Sequence, residues 1–261
     1  MRTFSYKNIE FSFRSLHSGT AIIFLHGFLE NQSMWDELMG NLPRAYRKIT
    51  LDLPGHGASG NLGYIHTMEE MAEVVKALAD ELKLKRFFLC GHSMGGYVAL
   101  AFAEKYPEMV KGIILQNSSA RADTEQKKRD RDRAIKIVKE NHKAFIRGAI
   151  PNLFRPKNRR NYRDAVNALK KEALKTTKQG VIAALEGMKV RADREVLLHF
   201  APYSVLFIGA KHDPAIPWDI VKEQLEGAKV IPCITENGHM AHIEDLDVLV
   251  PAFKAFLKEQ A

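Results

Sequence analysis

A serine, an aspartate and a histidine carry the chemistry this chain can be read for, in the order Ser93, Asp213, His239. Ser93 stands in Gly91-His92-Ser93-Met94-Gly95-Gly96, between a strand-like run, Arg86–Cys90, and a helical pattern from Met94 to Tyr106 that stops before Pro107. A serine hydroxyl is a weak nucleophile unless a neighbouring base takes its proton. A sharp strand-to-helix turn would lift Ser93 clear of a sheet, and such a turn needs small residues two positions to either side, which Gly91 and Gly95 supply. The plainer reading is a glycine-rich helix start with an N-capping serine. The expected base is His239, directly after Gly238 in the loop beyond the strand Lys229–Ile234. His242, three residues on, lies at the entrance of the last helix and suits packing or capping. The expected acid is Asp213, which follows the strand Tyr203–Ile208 in Gly209-Ala210-Lys211-His212-Asp213-Pro214. Asn117 holds the end of the preceding strand, so no carboxylate is offered there. Asp52, in Asp52-Leu53-Pro54-Gly55-His56-Gly57, reads as a turn-former whose carboxylate bonds local amides, and Asp245 and Asp247 belong to the start of the last helix. A tetrahedral oxyanion needs two preorganised N–H donors. The amide of Met94 is one candidate, and the amide of Phe28, in the strand-end loop His26-Gly27-Phe28, is the other.

The elements that must hold these residues alternate along the chain. Phe4 to Phe13 has the pattern of a hairpin, and Ala21–Leu25 is a continuous apolar run suited to a strand buried on both faces of a mainly parallel sheet. Helical spacing follows over Met34–Leu42, then a strand over Arg47–Leu51. Thr67-Met68-Glu69-Glu70 opens an amphipathic helix to about Leu82 with a capping box. The strands Arg86–Cys90 and Gly112–Gln116 flank the helix that begins at Met94. Alternation stops after Asn117 and resumes with the strand Tyr203–Ile208, a helix Trp218–Leu225, the strand Lys229–Ile234 and a last helix near Asp247–Lys258. Strands alternating with helices in this way imply an α/β fold with helices on both sheet faces. The chemistry then sits at the carboxyl ends of the strands, where the order serine, acid, histidine is the expected one. The division expected is one α/β core, 1–117 and 201–261, carrying a helical insertion at 118–200.

That insertion holds the charge. The 261 residues carry a net +8, yet 121–200 contains 22 Lys and Arg against 10 Asp and Glu, a net of +12, and the remainder is −4. The ordinary reading is a solvated helical face tied by pairs such as Asp130/Arg133. The sharper one is a field that draws a small anionic substrate toward a pocket mouth, with Arg155, Lys157, Arg159 and Arg160 its densest cluster. No aromatic–basic platform or RNA module accompanies the charge, so nucleic acid and membrane are not the expected partners. Cys90 and Cys233 lie in apolar surroundings and read as buried thiols of a reducing compartment. With no long apolar run, the expectation is a soluble, cytoplasmic chain. The histidines lack metal-ligand spacing, and neither a metal nor a cofactor is expected.

Taken together, His26-Gly27-Phe28, Asp52-Leu53-Pro54-Gly55-His56-Gly57, the Gly91–Gly96 stretch, Asp213 and Gly238-His239 resemble the α/β-hydrolase superfamily over nearly the whole chain. The resemblance implies an eight-stranded, mostly parallel sheet with a helical cap after the sixth strand, and a serine-nucleophile, esterase-like branch. It implies a Ser93–His239–Asp213 triad, an oxyanion hole at Phe28 and Met94, and acyl transfer to water from an ester or thioester. His92, Leu29 and Trp35 are the expected substrate-binding residues. Serine at the elbow argues against dehalogenases and epoxide hydrolases of this superfamily, which carry Asp there. C–C bond hydrolases, a menaquinone-pathway lyase acting on an anionic intermediate, and a ligand receptor of the same fold remain as alternatives. The resemblance leaves the substrate and the oligomeric state open.

Overall fold

The computed structural model describes residues 1–260. Eight strands form one sheet: β1 (Arg2–Tyr6), β2 (Ile9–Leu16), β3 (Thr20–Leu25), β4 (Tyr46–Leu51), β5 (Phe87–His92), β6 (Val110–Gln116), β7 (Ser204–Ala210) and β8 (Ile231–Thr235). Their order is β1-β2-β4-β3-β5-β6-β7-β8. The β1–β2 hairpin and the β2–β4 pair are antiparallel, and every later pairing is parallel. The helices are α1 (Asp36–Asn41), α2 (Met68–Glu81), α3 (Met94–Lys105), α4 (Glu125–Ala149), α5 (Arg163–Ala173), α6 (Lys178–Lys189), α7 (Val196–Phe200), α8 (Trp218–Leu225), α9 (Ala241–Glu244) and α10 (Leu246–Glu259).

The central strands are apolar throughout because both faces are covered, and their period of two sorts the side chains between two cores. Ile23, Leu25, Phe87 and Leu89 pack with Val98 and Phe102 of α3 on one face. Ile22, Phe24, Phe88 and Cys90 pack with Trp35, Phe253 and Phe256 on the other. The expected helix over Met34–Leu42 is split into a 3-10 turn, Gln32–Trp35, followed by α1. Asn31 caps that turn by accepting from the Ser33 amide at 2.9 Å. Thr67 caps α2 as expected, accepting from the Glu70 amide at 3.1 Å.

Between β6 and β7 the chain is helical, from α4 to α7, with short 3-10 turns and no strand. The cationic surplus read from the sequence therefore sits on these helices and the short turns between them. No helix among the described residues is long and apolar enough to cross a membrane.

Candidate active site

Strand β5 runs up to His92, and α3 begins at Met94, so Ser93 alone turns the chain. Its φ of 49° and ψ of −114° lie in a region a serine enters only under constraint, at a cost on the order of 1–3 kcal/mol. The neighbours hold it there: the Ser93 amide donates to the Gln116 carbonyl at 3.0 Å, and Ser118 Oγ donates to the Ser93 carbonyl at 2.8 Å. The two glycines answer to close approach. A Cβ at Gly91 would collide with the backbone of Gly95 and Gly96, and one at Gly95 with the carbonyls of Leu25 and His26.

Asp213 leaves the end of β7 in a tight turn, and its carboxylate is buried. Oδ1 accepts from the amides of Ala215 at 2.8 Å and Ile216 at 3.0 Å, while Oδ2 accepts from His239 Nδ1 at 2.8 Å. Burial alone would raise the Asp213 pKa, but the facing His239 and the two amides outweigh it and hold the group below the usual carboxylate range. His239 follows β8, and its own amide is anchored on the Leu153 carbonyl at 2.9 Å. With Nδ1–H directed to Asp213, the ring is fixed in the tautomer whose Nε2 is an acceptor. His239 and Ser93 line the same cavity of about 210 Å³. Phe28 and Leu29 form another part of its wall, and the amides of Phe28 and Met94 meet no acceptor among the described residues.

Asn117, which the sequence offers only as a missing carboxylate, reaches the acid itself. Its Nδ2 donates to Asp213 Oδ2 at 3.1 Å and to the Gly238 carbonyl at 3.3 Å. Glu30, which the motif reading passes over, is more consequential. Its Oε2 accepts from the Gly27 amide at 2.8 Å and from His92 Nδ1 at 2.8 Å, and His92 Nε2 donates to the His239 carbonyl at 3.0 Å. Both His92 nitrogens face acceptors, so the ring is an imidazolium. Desolvation opposes that charge, but Glu30 and the His239 carbonyl raise the His92 pKa regardless. In turn burial would raise Glu30, and the charge of His92 brings it down to about 2. One buried ion pair thus joins the loop after β3, the Ser93 turn and the His239 loop.

Three expectations change. His92 lines the cavity, but both its nitrogens are engaged by protein, so it offers a substrate no free polar atom. Trp35 is not on the cavity wall; it lies fully buried on the opposite face of the sheet, against Phe24 at 5.3 Å and His242 at 6.2 Å between ring centroids. A large apolar ring in the segment after a strand is as well suited to the second core as to a pocket, and here the 3-10 turn Gln32–Trp35 that precedes α1 places it in that core. Among the basic residues, Arg155 donates to Asn237 Oδ1 at 3.1 Å and to His212 Nε2 at 2.9 Å, bracing the His239 loop. Neither it nor Lys157, Arg159 or Arg160 lines the cavity; Lys127 and Arg131 of α4 do. His242 is buried beside Gln116 and His92, and desolvation lowers its pKa to about 3. Asp52 accepts from the Ala58 amide at 3.0 Å and also from Gln32, through its amide at 2.8 Å and its Nε2 at 2.9 Å. Among the described residues, no three of His, Cys, Asp and Glu are grouped so as to hold a metal ion.

A strained serine at a strand-to-helix turn, a buried Asp–His pair from later strand ends and a helical insertion after β6 define a class of α/β enzyme folds. The model of the α/β hydrolase fold family matches residues 20–246, and the chain belongs to that family. It is 30% identical to the AB hydrolase superfamily protein YisY of Bacillus subtilis over 241 residues, 87% of each chain. Its fold superposes with a TM-score of 0.91 on a thermophilic esterase from Thermogutta terrifontis in a malate-bound structure, 29% identical and covering 99% of this chain and 97% of that one. A serine hydrolase-like protein of Danio rerio is 35% identical over 109 residues, 41% of this chain and 33% of that protein, so the match spans about a third of that relative's length.

Proposed function

We propose that the protein is a serine hydrolase that cleaves a small carboxylic ester through an acyl-enzyme. The observation that carries this reading is the pairing of His239 with buried Asp213 beside Ser93 on one cavity wall. In that arrangement His239 Nε2 takes the Ser93 proton as Oγ attacks the ester carbonyl carbon. The amides of Met94 and Phe28 receive the negative charge that develops on the carbonyl oxygen. The tetrahedral intermediate collapses when His239 gives its proton to the departing alkoxide, which leaves the acyl group on Ser93. Water then attacks that acyl group with His239 as base, and the carboxylic acid departs with Ser93 reprotonated.

The surrounding residues serve this cycle. Asp213 stays ionised, since its pKa is lowered, and stabilises the imidazolium that His239 becomes. Asn117 and the Ala215 and Ile216 amides keep the carboxylate directed at Nδ1. A cavity of about 210 Å³ is below the roughly 300–1,000 Å³ of common ligand pockets, which favours short acyl groups. The likeness to the Thermogutta terrifontis esterase over almost the whole chain supports ester chemistry over the alternatives.

The test is hydrolysis of p-nitrophenyl esters from acetate to decanoate by wild type and Ser93→Ala. Turnover that favours the short esters and disappears with Ser93→Ala is expected. Equal rates in the two proteins would remove Ser93 from the chemistry, and a preference for decanoate would contradict the cavity argument.

A further inference from the structure

The inward face of α4 changes character along its length. Ile135 and Val138 are buried apolar residues of that face, as its amphipathic pattern requires. One and two turns earlier the same face carries Arg131 and Lys127 (spaced i, i+4), and both line the cavity that holds Ser93 and His239. A helix placing cations where its own pattern calls for apolar packing is presenting them to something polar.

Nearby carboxylates account for these cations only in part: Arg131 shares its carboxylate and Lys127 has no ion pair among the described residues. Arg131 and Arg191 both bind one carboxylate, the buried Asp123: Arg131 through Nε and, at 3.3 Å, through Nη2, and Arg191 through Nη1. Arg191 also lies over the ring of Tyr97, a cavity residue, at 4.1 Å. The acceptor of the Lys127 ammonium is a neutral one, the Ala215 carbonyl at 2.8 Å, in the turn whose amides hold Asp213. Two carboxylates stand near Lys127, but Asp123 is bound by two arginines and Asp213 by His239 and two amides, so neither pairs with the ammonium. Glu30, the acidic residue on the cavity wall, is already matched by His92. An ammonium has three donors, so Lys127 retains two after Ala215. Desolvation and then the charge of Arg131 lower the Lys127 pKa, a penalty that an anion between the two would relieve.

We infer that Lys127 and Arg131 form an anion subsite, and that the substrate is a small ester carrying a free carboxylate on the part that reaches α4. This rests on the ester-hydrolase reading and names its substrate class. The remaining basic residues of the insertion play no part in the subsite.

The experiment compares mono-p-nitrophenyl glutarate with p-nitrophenyl hexanoate, neutral and of nearly equal length, in wild type, Lys127→Met, Lys127→Met/Arg131→Gln and the outlying control Lys157→Gln. Wild type should favour the glutarate by about tenfold or more in kcat/KM, a size set by charge-assisted hydrogen bonding. That ratio should fall about tenfold in Lys127→Met and further in the double variant, chiefly through KM, and stay unchanged in Lys157→Gln. Lys127→Met leaves Asp123 with both its arginines, so a folding defect in the double variant does not decide the matter. A wild-type preference for hexanoate, an unchanged ratio in Lys127→Met, or an equal fall in Lys157→Gln would overturn the subsite. Should neither ester turn over, the ester reading fails, and the subsite is judged from the rise in Tm with free glutarate. A rise in wild type that is lost in Lys127→Met supports it, and no rise, or an equal rise in both, overturns it.

Discussion

Replacing Glu30 by Gln tests whether the buried pair with His92 holds the site together. The glutamine keeps an acceptor for the Gly27 amide, but it removes the charge that keeps His92 doubly protonated. A neutral His92 has one N–H for two acceptors, so it must abandon either residue 30 or the His239 carbonyl. A hydrogen bond to a charged group is worth about 1.5–3 kcal/mol, and removing one partner of a buried ion pair costs about 3–5 kcal/mol. Because His92 can release its proton rather than stay charged and alone, the lower part of that range applies, about 3 kcal/mol. For a chain of this size that is a fall in Tm of about 6–12 °C. The pH profile gives the sign. The Glu30 pKa is lowered from 4.5 to about 2, so its contribution is present above 4.5 and lost as pH falls through about 2. The His92 pKa is raised from 6.5, so its contribution is complete below 6.5 and lost as pH rises through the raised value. The gap between wild type and variant is therefore widest between pH 4.5 and 6.5. Urea unfolding at about pH 6 of wild type, Glu30→Gln, His92→Gln and the double variant gives the coupling, expected at about 1–3 kcal/mol. A loss under about 0.5 kcal/mol in Glu30→Gln, or strictly additive single effects, would refute the reasoning.

Asp213→Asn should lower ester kcat on the order of 10⁴-fold, because an amide at residue 213 no longer stabilises the charged His239 ring or selects its tautomer; burst kinetics with p-nitrophenyl acetate measures it. Gly95→Ala should cost several kcal/mol or abolish folding, since its Cβ would enter the Leu25 and His26 carbonyls; soluble yield and Tm report this. His26, His56 and His242 are buried with pKa values lowered, chiefly by desolvation, to about 4, 3 and 3. Their depressed values mean the unfolded chain takes up protons first, so stability is held above 6.5 and lost below it. Each group costs about 1.4 kcal/mol per pH unit in that range, or about 4 kcal/mol for the three at pH 5.5. A urea midpoint unchanged between pH 7 and 5.5 would contradict this.

Much of the arrangement is legible where the chain reports on itself locally. The Ser93 turn can be read because Gly91 and Gly95 are demanded by backbone contacts within a few residues and with β3. The alternation of strands and helices can be read because both faces of the central strands are buried. Asn117, Glu30 and the cations of α4 could not be read in this way. Glu30 meets His92 across 62 residues of chain and Asn117 meets Asp213 across 96, and neither pairing leaves a local pattern. A glutamate three residues after Gly27 in a strand-end loop was the available signal for Glu30. Trp35 shows the opposite problem: apolar size marks it for burial without saying on which face of the sheet. The Arg155–Arg160 cluster was dense in sequence, yet helix geometry directs Lys127 and Arg131, four residues apart, into the cavity instead.

The central claim is that Ser93 is a nucleophile activated by His239. Treating wild type, Ser93→Ala and His239→Ala with an activated p-nitrophenyl phosphonate ester, then weighing the intact proteins and their peptides, tests it directly. The account predicts one phosphonyl adduct per chain in wild type, located on the peptide containing Ser93, with none in Ser93→Ala and slowing on the order of 10³-fold or more in His239→Ala. An adduct that persists in Ser93→Ala, or labelling of His239→Ala at the wild-type rate, would contradict it.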